Sequence, residues 1–471
     1  MRRKSPRLTS LPATEGPLYG RVYRRLRSLI LDGTWKTGYQ LPSSRALAGD
    51  LGISRNTAML AIDQLVADGW VVTAPGKGAF VSDEAPLAQA GARAPGLNHN
   101  IVEQSRGAPR PFEFSQSSVD VFPAEKWSKL QAQLWSNLPP EALFEGSAAG
   151  SLQLRSALAA LVCAARGLDC KPEQIIVTSS TQASLDLVIR ALTDVGDEVW
   201  IEDPGYMGAK AAVLGQGVRL VPVPVDEQGL AVEAGRALAE RARLAYVTPA
   251  LQFPTCVVLA PGRRIALLAW ARRNQSWIVE DDYDAEARFD GARPPLPLYA
   301  EDAGERVIYL SSFNRLLFPA LRIAYLVVPQ QLVERFVHLL RGINAFGNVP
   351  NEILLAQFID NGFFAGHLRN ARSVQGERRA HLIRRLKDGL PPGYRVRDEL
   401  NGMHLLVETP QGIDAGALAG RLRAKTIMCM ALSDFCDRTK PHSCLMLGFA
   451  AYSAEQLDTA VTALVEELAR P

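Results

Sequence analysis

The sequence predicts an α/β protein in two parts: a small N-terminal module of helices closed by a β-hairpin, and a large domain on a mainly parallel sheet that ends in a smaller α+β subdomain. Three observations predict it. Strand-like apolar runs at Gln174–Thr178, Glu198–Glu202, Leu244–Thr248, Ser276–Glu280 and Arg306–Leu310 alternate with helical stretches, which is the pattern of a parallel sheet covered by helices. The first 82 residues instead read as helix, helix, helix and hairpin. A chain of 471 residues is also too long for one ordinary core.

In the N-terminal module, Leu18, Val22, Leu26, Leu29 and Ile30 recur on one helical face, and Gly33 follows as a stop. A short second helix is expected after Ser43, whose hydroxyl can cap it, with Leu47 and Leu51 apolar and Gly52 opening a turn. Ser54 then caps a third helix, on which Ala58, Ile62, Leu65 and Val66 share a face, and which ends near Gly69. The stretch WVVTAPGKGAFV follows, two β-rich pieces around a Pro-Gly-Lys-Gly turn. Together these elements make a winged helix-turn-helix over residues 12–82.

From 83 to 111 the composition shifts to Ala, Gly, Pro, Gln and Asn without periodicity, so this stretch reads as a linker. The large domain then runs over 112–471. From about Glu352 it mixes two long helical stretches with strands near Gly402–Glu408 and Cys444–Phe449, the smaller subdomain.

Composition excludes several classes. Hydrophobic residues make up 47% and charged residues 21%, an ordinary globular balance. No run approaches the ~18 apolar residues of a membrane span, and the basic N-terminus lacks the apolar stretch of a secretion signal, so a cytoplasmic protein is expected. The six cysteines show neither C-x-x-C pairs nor His at metal-ligand spacing; they read as reduced structural thiols, and no metal is expected.

Charge is unevenly placed. Residues 1–80 carry twelve Lys/Arg against five Asp/Glu, a local +7 in a chain of net +3, which leaves the remainder at −4. A basic module beside a nearly neutral domain suits double-stranded DNA as a partner. In a helix-turn-helix the second helix presents its N-terminal residues to the major groove. Here they are Ser54, Arg55, Asn56 and Thr57: Arg can pair with guanine acceptors, Asn with adenine, and the hydroxyls with phosphate. Arg45, at the start of the preceding helix, and Lys77 in the wing turn add cations for phosphate or the minor groove.

The stretch LPSSRALAGDLGISRNTAMLAIDQLVADGWVVTAPGKGAFV resembles the GntR family of winged-helix regulators. The resemblance implies operator binding as a homodimer, with Ser43, Arg45, Ser54, Arg55, Thr57 and the wing Gly76–Gly78 near DNA. Farther on, VTSSTQASLDL, EDPGYMGAK, VTPALQFPT, VEDDYDAEARF and SSFNRLLFPALRIAYLVVP are similar, in order, to segments of fold-type I aminotransferases that depend on pyridoxal phosphate. The MocR subgroup fuses such a domain to a GntR-type head. The resemblance implies a regulator whose large domain binds a small-molecule effector.

It also implies a cofactor site. Backbone N–H groups of Ser180, Thr181 and Gln182 at a helix N-terminus, with Ser312 and Arg322, would take a phosphate. Asp281 would partner the pyridinium nitrogen. Tyr283, two residues along the same strand, would meet the ring's phenolic oxygen, and Tyr206 would stack on the ring.

One position departs from that pattern. Where the family has its lysine, SSFNRLL places Arg315, and a guanidinium is always protonated and not a useful nucleophile. Covalent attachment of the cofactor is therefore expected to be absent, with noncovalent binding in its place and Arg315 as an anion clamp. Glu145, Ser180, Gly208, Leu251 and Cys256 also differ from family residues, which points away from preserved transamination. Two alternatives stay open: an active aminotransferase, which needs a surrogate lysine or catalysis through the free aldimine, and a regulator whose large domain is only a dimerisation scaffold.

Overall fold

The computed structural model describes residues 18–31, 34–74, 78–82, 110–114, 116–439 and 443–469. Lys77, the wing glycine Gly76, the stop at Gly33 and the linker up to residue 109 lie outside the described residues. The chain separates into two compact units, Met1–His99 and Asn100–Pro471, which divide within that linker.

The N-terminal unit consists of α1 (Leu18–Leu31), α2 (Ser44–Leu51), α3 (Arg55–Ala67) and a hairpin of β1 (Val71–Ala74) with β2 (Gly78–Val81). The helix starts follow from capping: the Ser43 Oγ accepts from the Ala46 N–H at 3.2 Å, and the Ser54 Oγ from the Thr57 N–H at 3.1 Å. Gly52 ends α2 at φ +63°, a left-handed conformation glycine adopts without steric cost. Val22, Leu26, Leu29 and Ile30 of α1 close over Leu47, Ala58, Ala61, Leu65 and Trp70. Leu18, expected on that face, is instead exposed at the start of α1.

The large unit is built on an eight-stranded sheet. Its strands, in chain order, are β3 (Ile175–Thr178), β4 (Glu198–Asp203), β5 (Arg219–Asp226), β6 (Gly229–Leu230), β7 (Leu244–Val247), β8 (Trp277–Asp281), β9 (Val307–Ser312) and β10 (Ala324–Val327). They lie in the order β3-β10-β9-β8-β7-β4-β5-β6. The pairs β9–β8, β8–β7, β7–β4 and β4–β5 are parallel, whereas β10 runs antiparallel to both β3 and β9. Side chains alternate between two apolar layers: Trp200, Ala245 and Ile278 face one, and Ile201, Tyr246 and Val279 the other. Burial on both faces explains why these strands read as unbroken apolar runs.

A second, antiparallel sheet closes the C-terminal part, with β11 (Arg395–Val396), β12 (His404–Glu408), β13 (Met430–Ala431) and β14 (Cys444–Gly448) in the order β11-β12-β14-β13. The helices 363–389, 415–424 and 454–468 complete it as an α+β subdomain.

Candidate functional site

The parallel strands all end at one edge of the large sheet, and ligands in open α/β sheets bind outside these carboxyl ends. The expected cofactor residues gather at that edge. Ser180 and Thr181 come after β3, Tyr206 after β4, Asp281 closes β8, Ser312 closes β9, and Arg322 precedes β10. Ala324 of β10 pairs with Thr178 on one side and Ser312 on the other, which sets the start of the Thr181–Leu192 helix beside Ser312.

Asp281 is the centre of the arrangement. It is buried, and its Oδ2 accepts from the Tyr246 hydroxyl at 2.7 Å. Its Oδ1 is buried without any hydrogen-bond partner. An orphaned carboxylate oxygen carries a desolvation penalty that a native site tolerates where a ligand donor satisfies it. Burial pushes the carboxyl up to about 7; the Tyr246 hydrogen bond opposes the shift, Asp282 and Asp284 reinforce it, and Arg315 opposes it.

The neighbouring acids are committed elsewhere. Asp282 takes Arg166 on both oxygens, at 2.7 and 3.3 Å, and the Tyr309 hydroxyl at 2.6 Å. Glu280 accepts the backbone N–H groups of Leu298 and Tyr299. Within Glu280–Asp282, only Asp281 keeps an open oxygen.

Tyr283 lies just past the end of β8, not within it as expected, and its buried hydroxyl has no partner. Arg315 lies over its ring, 5.6 Å from the centroid, within cation–π range. The Arg315 Nη2 also stands 3.0 Å from the Asp284 Oδ2, at ion-pair distance but out of line for a hydrogen bond, and its Nε is buried and unpartnered. The charge expected to clamp an anion thus already faces Asp284, a partner that sequence reasoning missed. Arg315 enters the electrostatic surroundings of Asp281, Tyr206 and Tyr283, which places the guanidinium in the same site.

Tyr206 immediately precedes the Met207–Gly215 helix, 6.4 Å from the Tyr246 ring and edge-on to Phe253 at 6.1 Å. Burial raises its phenol to about 12. Gly208 accommodates this ring, since a Cβ there would come within 2.4 Å of it.

On the phosphate side, the Ser180 Oγ caps its helix by accepting from the Ala183 N–H at 3.1 Å, and the Gln182 side chain donates to the Gly208 carbonyl. Ser312 is buried. Arg322 is exposed at φ +56°, and among the described residues no carboxylate pairs with it. Lys210, the nearest lysine in sequence to a cofactor motif, is buried: its Nζ donates to the Phe435 carbonyl at 2.6 Å and meets Asp437 at 2.6 Å. That amine is occupied by other partners.

In the N-terminal unit, Arg45, Arg55 and Asn56 are exposed. Ser43 and Ser54 spend their oxygens as helix caps and keep their O–H groups as donors. The Ser54 and Thr57 hydroxyls lie 2.8 Å apart, and the Arg55 Nε reaches the Ser44 Oγ at 3.4 Å, so these four residues form one tip at the turn between α2 and α3.

Comparison with known proteins agrees with both halves. Residues 18–81 match the model of the bacterial regulatory proteins of the gntR family, and residues 113–464 match aminotransferase class I and II. The Rhizobium meliloti protein named "Probable rhizopine catabolism regulatory protein MocR" is 32% identical over 461 residues, covering 95% of this chain and 93% of its own. The chain belongs to the MocR-type regulators of the GntR family. Another relative of this MocR-type chain is the pyridoxine biosynthesis transcriptional regulator PdxR of Corynebacterium glutamicum, 30% identical over 92% of each chain. The aminotransferase-like half is similar to a solved α-aminoadipate aminotransferase from Thermus thermophilus in complex with a phosphopyridoxyl-leucine. That match has a TM-score of 0.68 and 28% identity, and covers 76% of this chain and 91% of that one.

Proposed function

We propose that this MocR-type regulator binds operator DNA through the α2–α3 tip and adjusts that binding in response to a pyridoxal phosphate-like ligand held noncovalently in the large unit. The observation that carries the ligand reading is a pair of buried, unpartnered groups two residues apart in the chain, the Asp281 Oδ1 and the Tyr283 hydroxyl. The donor set fits the group: Asp281 for a protonated ring nitrogen, Tyr283 for a phenolic oxygen, and the Ser180–Gln182 helix start with Ser312 and Arg322 for a phosphate. When bound, pyridoxal phosphate supplies an aldehyde and an electron-withdrawing ring. On this reading Arg315 takes the attachment position, and Lys210 is held by Phe435 and Asp437. The protein's own residues therefore bind and orient the ligand, and a regulator without transaminase turnover follows. A relative named for pyridoxine biosynthesis regulation supports a ligand of the same chemistry.

Occupancy alone does not switch a regulator; the ligand must bind two arrangements of the protein with different affinity. The test is fluorescence anisotropy of the full-length protein on a duplex selected in vitro from a random library, with and without saturating pyridoxal phosphate. A several-fold change in Kd is expected. Identical affinities would overturn sensing and leave the large domain as a scaffold.

A further inference from the structure

The helix that the fold offers to DNA carries two adjacent large apolar side chains on its outer face. Ala58, Ala61 and Leu65 of α3 are buried against the rest of the unit. At about 100° per residue, Asn56, Met59, Leu60 and Asp63 point the other way. Met59 is 42% exposed and Leu60 56%, adjacent large side chains on the side of the helix facing away from the core. Single exposed apolar residues are ordinary, but two together on a recognition helix need a reason.

The charges narrow that reason. The exposed surface of α3 carries Arg55 and Asp63 and so has no net charge, which makes it a poor phosphate binder. Among the described residues the unit's other cations lie on α1, at Lys36 and at Arg45. The cations can hold the phosphate backbone while α3 meets base edges. On the major-groove edges, hydrogen-bonding atoms suit Arg55 and Asn56, and the one apolar group is the thymine 5-methyl.

We propose that Met59 and Leu60 read thymine 5-methyl groups in the major groove, so that this operator is specified in part by apolar contact at thymines within reach of Arg55 and Asn56. The inference rests on the reading of α3 as the recognition helix, and the experiment separates the two. The full-length protein is used to select duplexes from a random library; the best duplex is then remade with deoxyuridine for each thymidine in turn, which removes only the methyl. Wild type is expected to lose about fourfold in affinity at one or two positions, the scale of one buried methyl group. Met59→Ala/Leu60→Ala, two exposed helix positions where alanine favours the helix, is expected to bind thymidine and deoxyuridine duplexes alike. Equal wild-type affinity for both duplexes, or a variant that keeps the wild-type preference, overturns the proposal. So does a variant that keeps DNA binding and changes only self-association, which would assign the face to a second copy. Failure to enrich any duplex overturns the DNA reading itself.

Discussion

The Tyr246 hydroxyl donates to one oxygen of Asp281 at 2.7 Å and leaves the other oxygen buried and unpartnered. The two residues stand on neighbouring parallel strands, β7 and β8, and face the same apolar layer. The tyrosine thus fixes the carboxylate in one rotamer and keeps it ionisable in a buried setting. In Tyr246→Phe the carboxyl loses that support, and noncovalent pyridoxal phosphate binding is expected to weaken about tenfold, the scale of one hydrogen bond to a charged group. An absorbance titration of the two proteins measures it. An unchanged Kd would place the ligand away from Asp281.

The same carboxyl sets a pH dependence. Burial raises Asp281 from 3.8 to about 7, so between those values the folded state holds a proton that the unfolded state releases. Its contribution to stability is present at low pH and falls as pH rises through about 7. Asp281→Asn has the shape without the titration. Thermal melts of the ligand-free proteins from pH 5 to 8 should show a steeper fall in Tm for wild type than for the variant, and parallel curves would contradict the assignment.

Much of this was legible in the sequence, for local reasons. Ser43 and Ser54 are caps because a hydroxyl one residue before a helix meets its free N–H groups, and both cap as read. The strands around Ile175, Glu198, Leu244, Trp277 and Val307 stood out because two apolar layers cover them. β5 was missed: Pro222 and Pro224 argue against a strand, yet on the side away from β4 it is paired only at its end, by the two-residue β6, so the missing N–H groups leave little of the ladder unmade. In the site, motif order located Asp281, Tyr283 and Arg315. Tyr246 and Asp284 were invisible because their roles arise from strand register and a turn, which no local pattern encodes.

At the DNA tip, Arg55 is exposed and held loosely from Ser44. Arg55→Ala is expected to weaken specific operator binding by about 1–3 kcal/mol, the scale of one bidentate base contact, while changing nonspecific binding little. Competition binding with unrelated duplex DNA distinguishes the two. Equal losses on both DNAs would make Arg55 a phosphate contact.

Lys210 has a structural role in this account. Lys210→Met strips the buried Phe435 carbonyl and the exposed Asp437 of their cation and should lower stability by about 1–3 kcal/mol, the cost of leaving one buried carbonyl unsatisfied. Denaturant unfolding measures it. A variant as stable as wild type but unable to bind pyridoxal phosphate would instead make Lys210 a ligand group.

The most direct test is an absorbance titration with pyridoxal phosphate followed by borohydride reduction, on wild type beside Arg315→Lys. Saturable binding without a trapped adduct in wild type, and a trapped adduct in the variant, is the predicted result. An adduct trapped in wild type would contradict the account and assign the attachment to another lysine.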